Sequence, residues 1–383
     1  MSSLTLTRLG RRDGALMVNQ VVGAKALPGE VSEQIVAKTD GVPLFVEELT
    51  KTVLESGLLT DAGDHYELAG PVPPLAIPAT LQDSLMARLD RLAPVKEVAQ
   101  LGAEIGSEFP HALLAAVANR PETTLHAALD QLVSSELIFC RGIPPHAVYT
   151  FKHTMVQDVA YQSLLKSRRQ QLHARIAGVL QERFPETAAT QPELLAQHCT
   201  AAGQLDQAID YWHRAGQRAS ERSADLEAIA HLTRGLELAR TLPDPTQSAR
   251  QELKLRVALG EPLVAAKGYG AAEAGATYTR ALELCRQVGE TPELFPAMWG
   301  LWYFYCGQGA CRTARDLGRE LLGLAERQTD PALLVAGHQA LGPPGRIFRC
   351  AHPSEAGTSG FRPQAGSVAP PSLRRRSGSA MQS

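Results

Sequence analysis

GQLDQAIDYWHRA, residues 203–215, places a turn glycine (Gly203), a small residue five positions on (Ala208), an aromatic four further (Trp212) and a small residue three after that (Ala215). Small side chains are needed where neighbouring helices approach closely, and large ones fill the gaps between them. Gly309 and Ala314 repeat the first two offsets. The sequence around this stretch, from about 190 to 342, reads as helix after helix. A stack of helical hairpins is therefore expected over 186–342, an α-solenoid.

Working outward, residues 77–185 form a second unit. Pro78-Ala79-Thr80-Leu81 opens a helix with Leu81, Leu85, Leu89 and Leu92 at helical spacing. Further helices are expected near 94–105, 110–118 and 122–135. Alternation then takes over in Leu137-Ile138-Phe139-Cys140 and Val148-Tyr149-Thr150-Phe151, separated by a Gly/Pro turn at 142–145, which is a β-hairpin signal. Several short helices followed by a hairpin is a winged-helix arrangement, and two longer helices follow at about 153–165 and 168–183.

The first unit, 1–60, is helical from about Asp13 to Ser56. Its last two helices break at Asp40-Gly41-Val42-Pro43, where Gly suits a helix C-terminus and Pro the first turn of the next helix. Leu44, Phe45, Leu49, Val53 and Leu54 supply an apolar face. Leu4-Thr5-Leu6-Thr7 reads as a lone extended stretch and suggests the last piece of a sheet. Residues 57–76 read as a Gly/Pro-rich loop, with a linker at 61–76. Residues 343–383 lose the helical period, and Pro, Gly and Ser make up 18 of the 41. They are expected to be disordered, and the abrupt change reads as a reading-frame shift in the gene, with a basic interaction tail at Arg374-Arg375-Arg376 as the alternative.

The 383 residues carry a net charge of −2, but the last 41 hold six Arg and one Glu, so the rest carries −7. That balance gives the body no electrostatic case for nucleic acid. The basic group Lys166, Arg168, Arg169 and Arg175 reads as a solvated helix face, with Asp130, Glu136 and Asp158 close in sequence. No apolar run nears the roughly 18 residues of a membrane span, and the N-terminus has no apolar signal region, so a cytoplasmic location is the default expectation. The six cysteines are scattered; Cys306 and Cys311 alone are close, without a second pair for zinc, and buried apolar cysteines are expected. The eleven histidines show no pairing at metal-ligand spacing: His111 and His126 lie fifteen apart, and His153 and His173 fall on separate helices.

The catalytic motifs are missing. There is no G-x-x-x-x-G-K-[ST] loop to cradle phosphates, no strand ending in paired acids for Mg²⁺, and no G-x-S-x-G, H-E-x-x-H or G-x-G-x-x-G. No catalytic residue and no metal ligand is assigned, and the chain is not expected to be an enzyme.

Three long runs carry a family resemblance. KTDGVPLFVEELTKTVLESG resembles the lid segment of signal-transduction ATPases with numerous domains (STAND), a branch of the AAA+ ATPases. YTFKHTMVQDVAYQSLLKSRRQQLHARIA resembles the end of their winged-helix unit. With PPLAIPATLQDSLMARLDRLAPVKEVAQLGAEIG and the tetratricopeptide-like repeats, residues 1–342 are similar to the C-terminal half of bacterial class III adenylate/guanylate cyclases fused to such an ATPase. The resemblance implies a mainly α chain: an ATPase lid remnant, a winged-helix domain with a small β-hairpin, then a solenoid of tetratricopeptide-like (TPR-like) hairpins. It also implies that the chain begins after the P-loop core, without the cyclase domain, so ATP/ADP and Mg²⁺ would belong to the intact parent and no cofactor to this chain.

Within that family the lid G-x-P packs on adenine, which corresponds to Gly41 and Pro43; the alternative is a plain helix break. The histidine of F-K-H-x-x-V-Q-D, here His153, corresponds to one that senses the diphosphate; the alternative is a helix-start histidine hydrogen-bonded locally. The implied function is that of a non-catalytic sensor segment binding protein or peptide partners through its repeats, with a P-loop ATPase/cyclase portion as a further partner, no membrane and no nucleic acid. Two other readings stand beside it: a winged-helix transcription regulator with a repeat sensor, and a truncated, non-functional remnant.

Overall fold

The computed structural model describes residues 7–23, 25–69, 78–289, 291–328 and 330–342. Of the Leu4–Thr7 strand remnant, Leu4, Thr5 and Leu6 lie outside the described residues and Thr7 is in no strand; the reading of 343–383 as a disordered, frameshifted tail also lies outside the described residues. The chain is mainly α, with eighteen helices and five short strands among the described residues. It divides into two compact units, one ending at Phe184 and the other starting at Pro185. No described helix is long and apolar enough to cross a membrane.

The first unit opens with three helices, α1 (Arg11–Val22), α2 (Gly29–Thr39) and α3 (Pro43–Leu54). Val18, Val31, Ile35, Phe45, Val46, Leu49 and Val53 form their common core. The break between α2 and α3 is where the sequence puts it. Asp40 and Gly41 both take positive φ (48° and 70°), and Pro43 stands in the first turn of α3, where its missing N–H costs nothing. Gly41 is required sterically as well. Its carbonyl accepts a 2.8 Å hydrogen bond from the Leu9 N–H, and a Cβ there would lie 2.2 Å from the Leu9 carbonyl oxygen. Helix α3 is buried on more than the one predicted face: Val46 joins its apolar side, and Glu48, Thr50 and Thr52 are buried too.

Residues 57–69, expected to be loop and the start of a linker, instead contain an antiparallel hairpin of β1 (Leu59–Asp61) and β2 (Tyr66–Leu68). The Asp61 carboxylate accepts from the Gly63 N–H at 2.9 Å and Gly63 takes φ 100°, so the glycine-containing turn closes a hairpin rather than opening a linker. The Tyr66 N–H donates to the Ala26 carbonyl and anchors the hairpin beside α2.

Next come α4 (Leu81–Arg91), α5 (Ala93–Ile105), β3 (Glu108–Pro110), α6 (His111–Ala118), α7 (Glu122–Ser134), β4 (Ile138–Arg141), β5 (Val148–Phe151), α8 (Thr154–Gln162) and α9 (Lys166–Arg183). The hairpin β4–β5 forms with the expected residues. Strand β3 was not foreseen: it pairs antiparallel with β5, giving the order β3-β5-β4. Three residues ending in proline carry too little alternation to signal a strand. What holds them is the buried Phe109 ring, 5.7 Å from Tyr149 and 5.4 Å from Phe151. On the helical side the Glu104 carboxylate of α5 meets His173 Nε2 of α9 at 2.5 Å, both buried.

The three-helix start and the following helices are joined by one buried cation. Arg88 lies on α4 between Leu85 and Leu89 and is almost wholly buried, as is Glu48 of α3. Its guanidinium bonds Glu48, forms a fork to Glu55 at 3.1 and 3.0 Å, and donates to the Ser135 carbonyl at 2.7 Å. Thr52 and Ser84 share a 2.6 Å hydroxyl contact beside it.

The second unit consists of α10 (Pro185–Thr190), α11 (Pro192–Ala202), α12 (Leu205–Glu221), α13 (Asp225–Ala239), α14 (Pro245–Lys267), α15 (Ala272–Val288), α16 (Leu294–Gly307), α17 (Cys311–Gln328) and α18 (Pro331–Leu341). From α11 onward each helix packs on the next in sequence, and α12 with α14 and α14 with α16 also touch, the arrangement of a solenoid. Gly203 and Gly309 turn the chain with φ 77° and 70°, and Ala208, Trp212, Ala215 and Ala314 are buried, as the repeat offsets require. Tyr278 of α15 is clasped between Gly260 of α14 and Gly300 of α16; a Cβ at either would fall 2.1 Å from its ring. Cys199, Cys285 and Cys306 are buried as expected, but Cys140 and Cys311 are exposed, because they sit on the edge strand β4 and at the start of α17.

Arg88→Ala leaves Glu48 buried without its cation. It should lower the stability of the first unit by about 3–5 kcal/mol, read from denaturant unfolding followed by circular dichroism. A change below about 1 kcal/mol, the size of an exposed pair, would show that the cation does not join these helices.

Candidate functional site

Gly41, Pro43 and His153 come from distant parts of the first unit. Gly41 and Pro43 make the bend that starts α3, and they serve there as a helix break. His153 precedes α8 in extended conformation (φ −139°, ψ 145°). Its backbone carbonyl accepts from the Val156 N–H at 3.0 Å, but its side chain makes no capping bond, and its buried Nε2 has no partner among the described atoms. Only the backbone half of the local alternative for His153 is therefore realised.

The two neighbourhoods are tied together by charge. Glu47, one turn beyond Pro43, accepts from Lys51 at 2.7 Å and from Lys152, the residue before His153, at 2.8 Å. Glu136, held at φ 55° in the turn after α7, accepts from Lys152 at 3.1 Å and also from Lys51. Two lysines and two carboxylates thus close a ring between α3, the α7–β4 turn and the β5–α8 junction. Burial pushes the Glu47 carboxyl up, but the hydrogen bonds from Lys152 and Lys51 outweigh it and hold the group down at about 2. Glu136 is lowered by the same two lysines. Burial opposes the charge on Lys152, yet bonding to Glu47 and Glu136 raises its pKa. Each lysine is spent on carboxylates, so this ring is a strut between elements and offers no free cation to a phosphate.

In the second unit, α11, α12 and α13 frame an open cavity of about 350 Å³. Its floor is Trp212, whose indole N–H donates to the Thr200 hydroxyl at 3.1 Å. The Arg234 guanidinium lies 5.2 Å from the same ring centre, and His231 stacks on it at 5.3 Å. Glu237 and Gln197 line the rim and are exposed. The indole is almost wholly covered, with Arg234 and His231 on its ring, so a ligand side chain entering here would meet the guanidinium and the polar rim.

The basic residues of α9 do not converge. Lys166, Arg168 and Arg175 are exposed, and Arg169 covers the Tyr161 ring at 4.8 Å. The histidine reading needs a correction: His111 and His126, fifteen apart in sequence, have their rings 5.0 Å apart, because α6 and α7 pack against each other.

Sequence reasoning missed Arg88 and Glu48. The signal was present, since Arg88 falls on the Leu85/Leu89 face of α4 and Glu48 lies beside Leu49 and three residues after Phe45 on α3. A charge inside an apolar stripe implies an opposite charge facing it.

No protein-family model matches the chain. Over 296 residues, 76% of this chain, it is 28% identical to an uncharacterized protein of Rhizobium meliloti (strain 1021). The chain spans only 28% of that relative's length. Among solved structures it has a remote likeness to a Signal Transduction ATPase with Numerous Domains (STAND) protein with a tetratricopeptide repeat sensor from Pyrococcus horikoshii, at 10% identity and a TM-score of 0.32, over 90% of this chain and 58% of that one.

The lowered pKa of Glu47 has a definite sign. Its folded pKa lies below the unfolded value, so the stability it contributes is present above about 4.5 and is lost as pH falls toward about 2. Glu47→Gln should therefore flatten the loss of stability between those pH values, measured by urea midpoints across the range. An unchanged acid limb would show that the ring contributes nothing.

Proposed function

We propose that this chain is the non-catalytic sensor and relay part of a STAND-type signalling ATPase. In this reading the second unit takes up a protein or peptide partner, and the first unit passes the change in state toward a nucleotide-handling portion. The observation that carries the reading is the run of consecutively packed helical hairpins with an open cavity rimmed by Gln197, Arg234 and Glu237, since such arrays present extended surfaces to partners. The order α5, β3, α6, α7, β4, β5 supports a winged-helix assignment: helix, strand, two helices and a hairpin. The lid-like run that bends at Gly41–Pro43 supports placement next to an ATPase core, with adenine at that bend and a diphosphate oxygen at His153. In the intact parent the output would be an adenylate or guanylate cyclase, and the location cytoplasmic. ATP or ADP and Mg²⁺ belong to that parent; this chain itself neither hydrolyses nor cyclises a nucleotide.

The transcription-regulator reading is weaker on a specific point. In a winged helix the helix before the hairpin enters the DNA major groove. Here that helix, α7, has the sequence ETTLHAALDQLVS, with Glu122 and Asp130 and no lysine or arginine. Such a helix repels a phosphate backbone.

Peptide-display selection on the full chain should enrich sequences whose affinity falls at least about tenfold in Arg234→Glu, the scale of losing one hot-spot contact. Enriched peptides indifferent to Arg234→Glu, or no enrichment, would count against the Trp212 cavity as the partner site.

A further inference from the structure

His111, Glu122 and His126 are brought to one place by α6 and α7. His111 is the first residue of α6, fixed by its own N–H, which donates to the Ala147 carbonyl at 2.8 Å. Glu122 opens α7, and His126 stands one helical turn later on the same face. One donor atom from each of the three residues can be chosen so that all lie within 4.8 Å of one another, and His126 Nε2 lies 3.9 Å from a Glu122 oxygen. His111 is about 99% buried, yet neither of its ring nitrogens has a hydrogen-bond partner among the described atoms, and the same holds for His126 Nε2. Buried imidazole nitrogens rarely go unmet, and each such group calls for an explanation.

We propose that His111, Glu122 and His126 form a binding site for one divalent transition-metal ion of the zinc class. The donor set, two imidazoles and a carboxylate, is one that zinc accepts at three protein positions with a fourth left to water or a ligand. Around one ion at ordinary bond lengths such donors stand about 3.3 Å apart, so the site needs only a modest closing. His126 and Glu122 can supply it, because both have solvent on one side while His111 stays fixed. The bound ion would pin the start of α6 to the first turn of α7, next to the β4–β5 turn. It would also meet the ring nitrogens that the fold leaves unmatched. The alternative is a pair of tilted imidazoles packed ring on ring with no ion.

The test uses the full, untagged chain stripped of metal and titrated with Co(II) for its visible absorption, then with Zn(II) in competition with a chromophoric chelator. The expected result is one ion per chain, with Co(II) bands of a four- or five-coordinate site that Zn(II) displaces. His126→Gln and Glu122→Gln are at partly exposed positions and should keep the wild-type helicity and melting. They should weaken Zn(II) binding by more than the 10–100-fold typical of losing an outer partner of a ligand. His65→Gln, at the exposed histidine beside Asp64 and Glu67, is the control and should bind as the wild type does. In addition, Zn(II) should raise the melting temperature of the wild type and not of His126→Gln. No stoichiometric binding, or binding that survives His126→Gln and Glu122→Gln or is lost in His65→Gln, would overturn the proposal.

Discussion

The guanidinium of Arg88 enters the interior of the first unit and bonds three groups there: Glu48 on α3, Glu55 just after α3, and the carbonyl of Ser135 just after α7. A buried charge is costly unless its partners are close and its donors are used, and here both α3 and the α7 terminus must be in place for that to hold. Removing either would strand a cation in the core. The constraint explains why α3 is buried on several sides although its apolar residues would cover only one. It also means that the bend at Gly41–Pro43 leads into a helix that cannot shift without disturbing α4 and the end of α7. The ring of Glu47, Lys51, Glu136 and Lys152 repeats the linkage nearer the surface and extends it to the junction before His153. Buried and half-buried charges therefore both hold α3 to the end of α7, one network adding α4 and the other the junction before His153, which is the physical content of the relay we propose.

The second unit is held differently. Its helices meet mainly through small residues and single large side chains, and charge adds a few links, such as Arg280 of α15 to the buried Glu252 of α14 and Lys254 of α14 to Asp210 of α12. Tyr278 fits because Gly260 and Gly300 leave room for it, and the aromatic run of α16 (Phe295, Trp299, Trp302, Tyr303) fills the space against α17 and α18. Contacts of this kind are local and nearest-neighbour, so the array leaves an open groove between hairpins, as at Trp212, without loss of its core.

Much of this was legible in the sequence because the signals are strong and local. The Asp40–Pro43 break, the β4–β5 alternation and the Gly203/Ala208/Trp212/Ala215 offsets each state a backbone requirement within a few residues. Strand β3 and the β1–β2 hairpin were not legible, since three-residue strands owe their existence to partners far along the chain. The charge pairs were half legible. Glu48 and Arg88 betray burial by sitting in apolar stripes, but nothing in the sequence names their partners, which are separated by 40 residues. His111 and His126 show the limit most plainly: fifteen residues apart is no known ligand spacing, and only the packing of α6 on α7 makes them neighbours.

The reading of this chain as a relay without nucleotide chemistry of its own is tested most directly by titrating it with a fluorescent ADP or ATP analogue in the presence of Mg²⁺. Lys51 of α3 and Lys152 beside His153 are bonded to Glu47 and Glu136, and the sequence holds no G-x-x-x-x-G-K-[ST] motif. The predicted result is no saturable binding in the micromolar range by a helical, cooperatively melting protein. Saturable micromolar binding that is lost in His153→Ala would contradict it and would place a working nucleotide site within this chain.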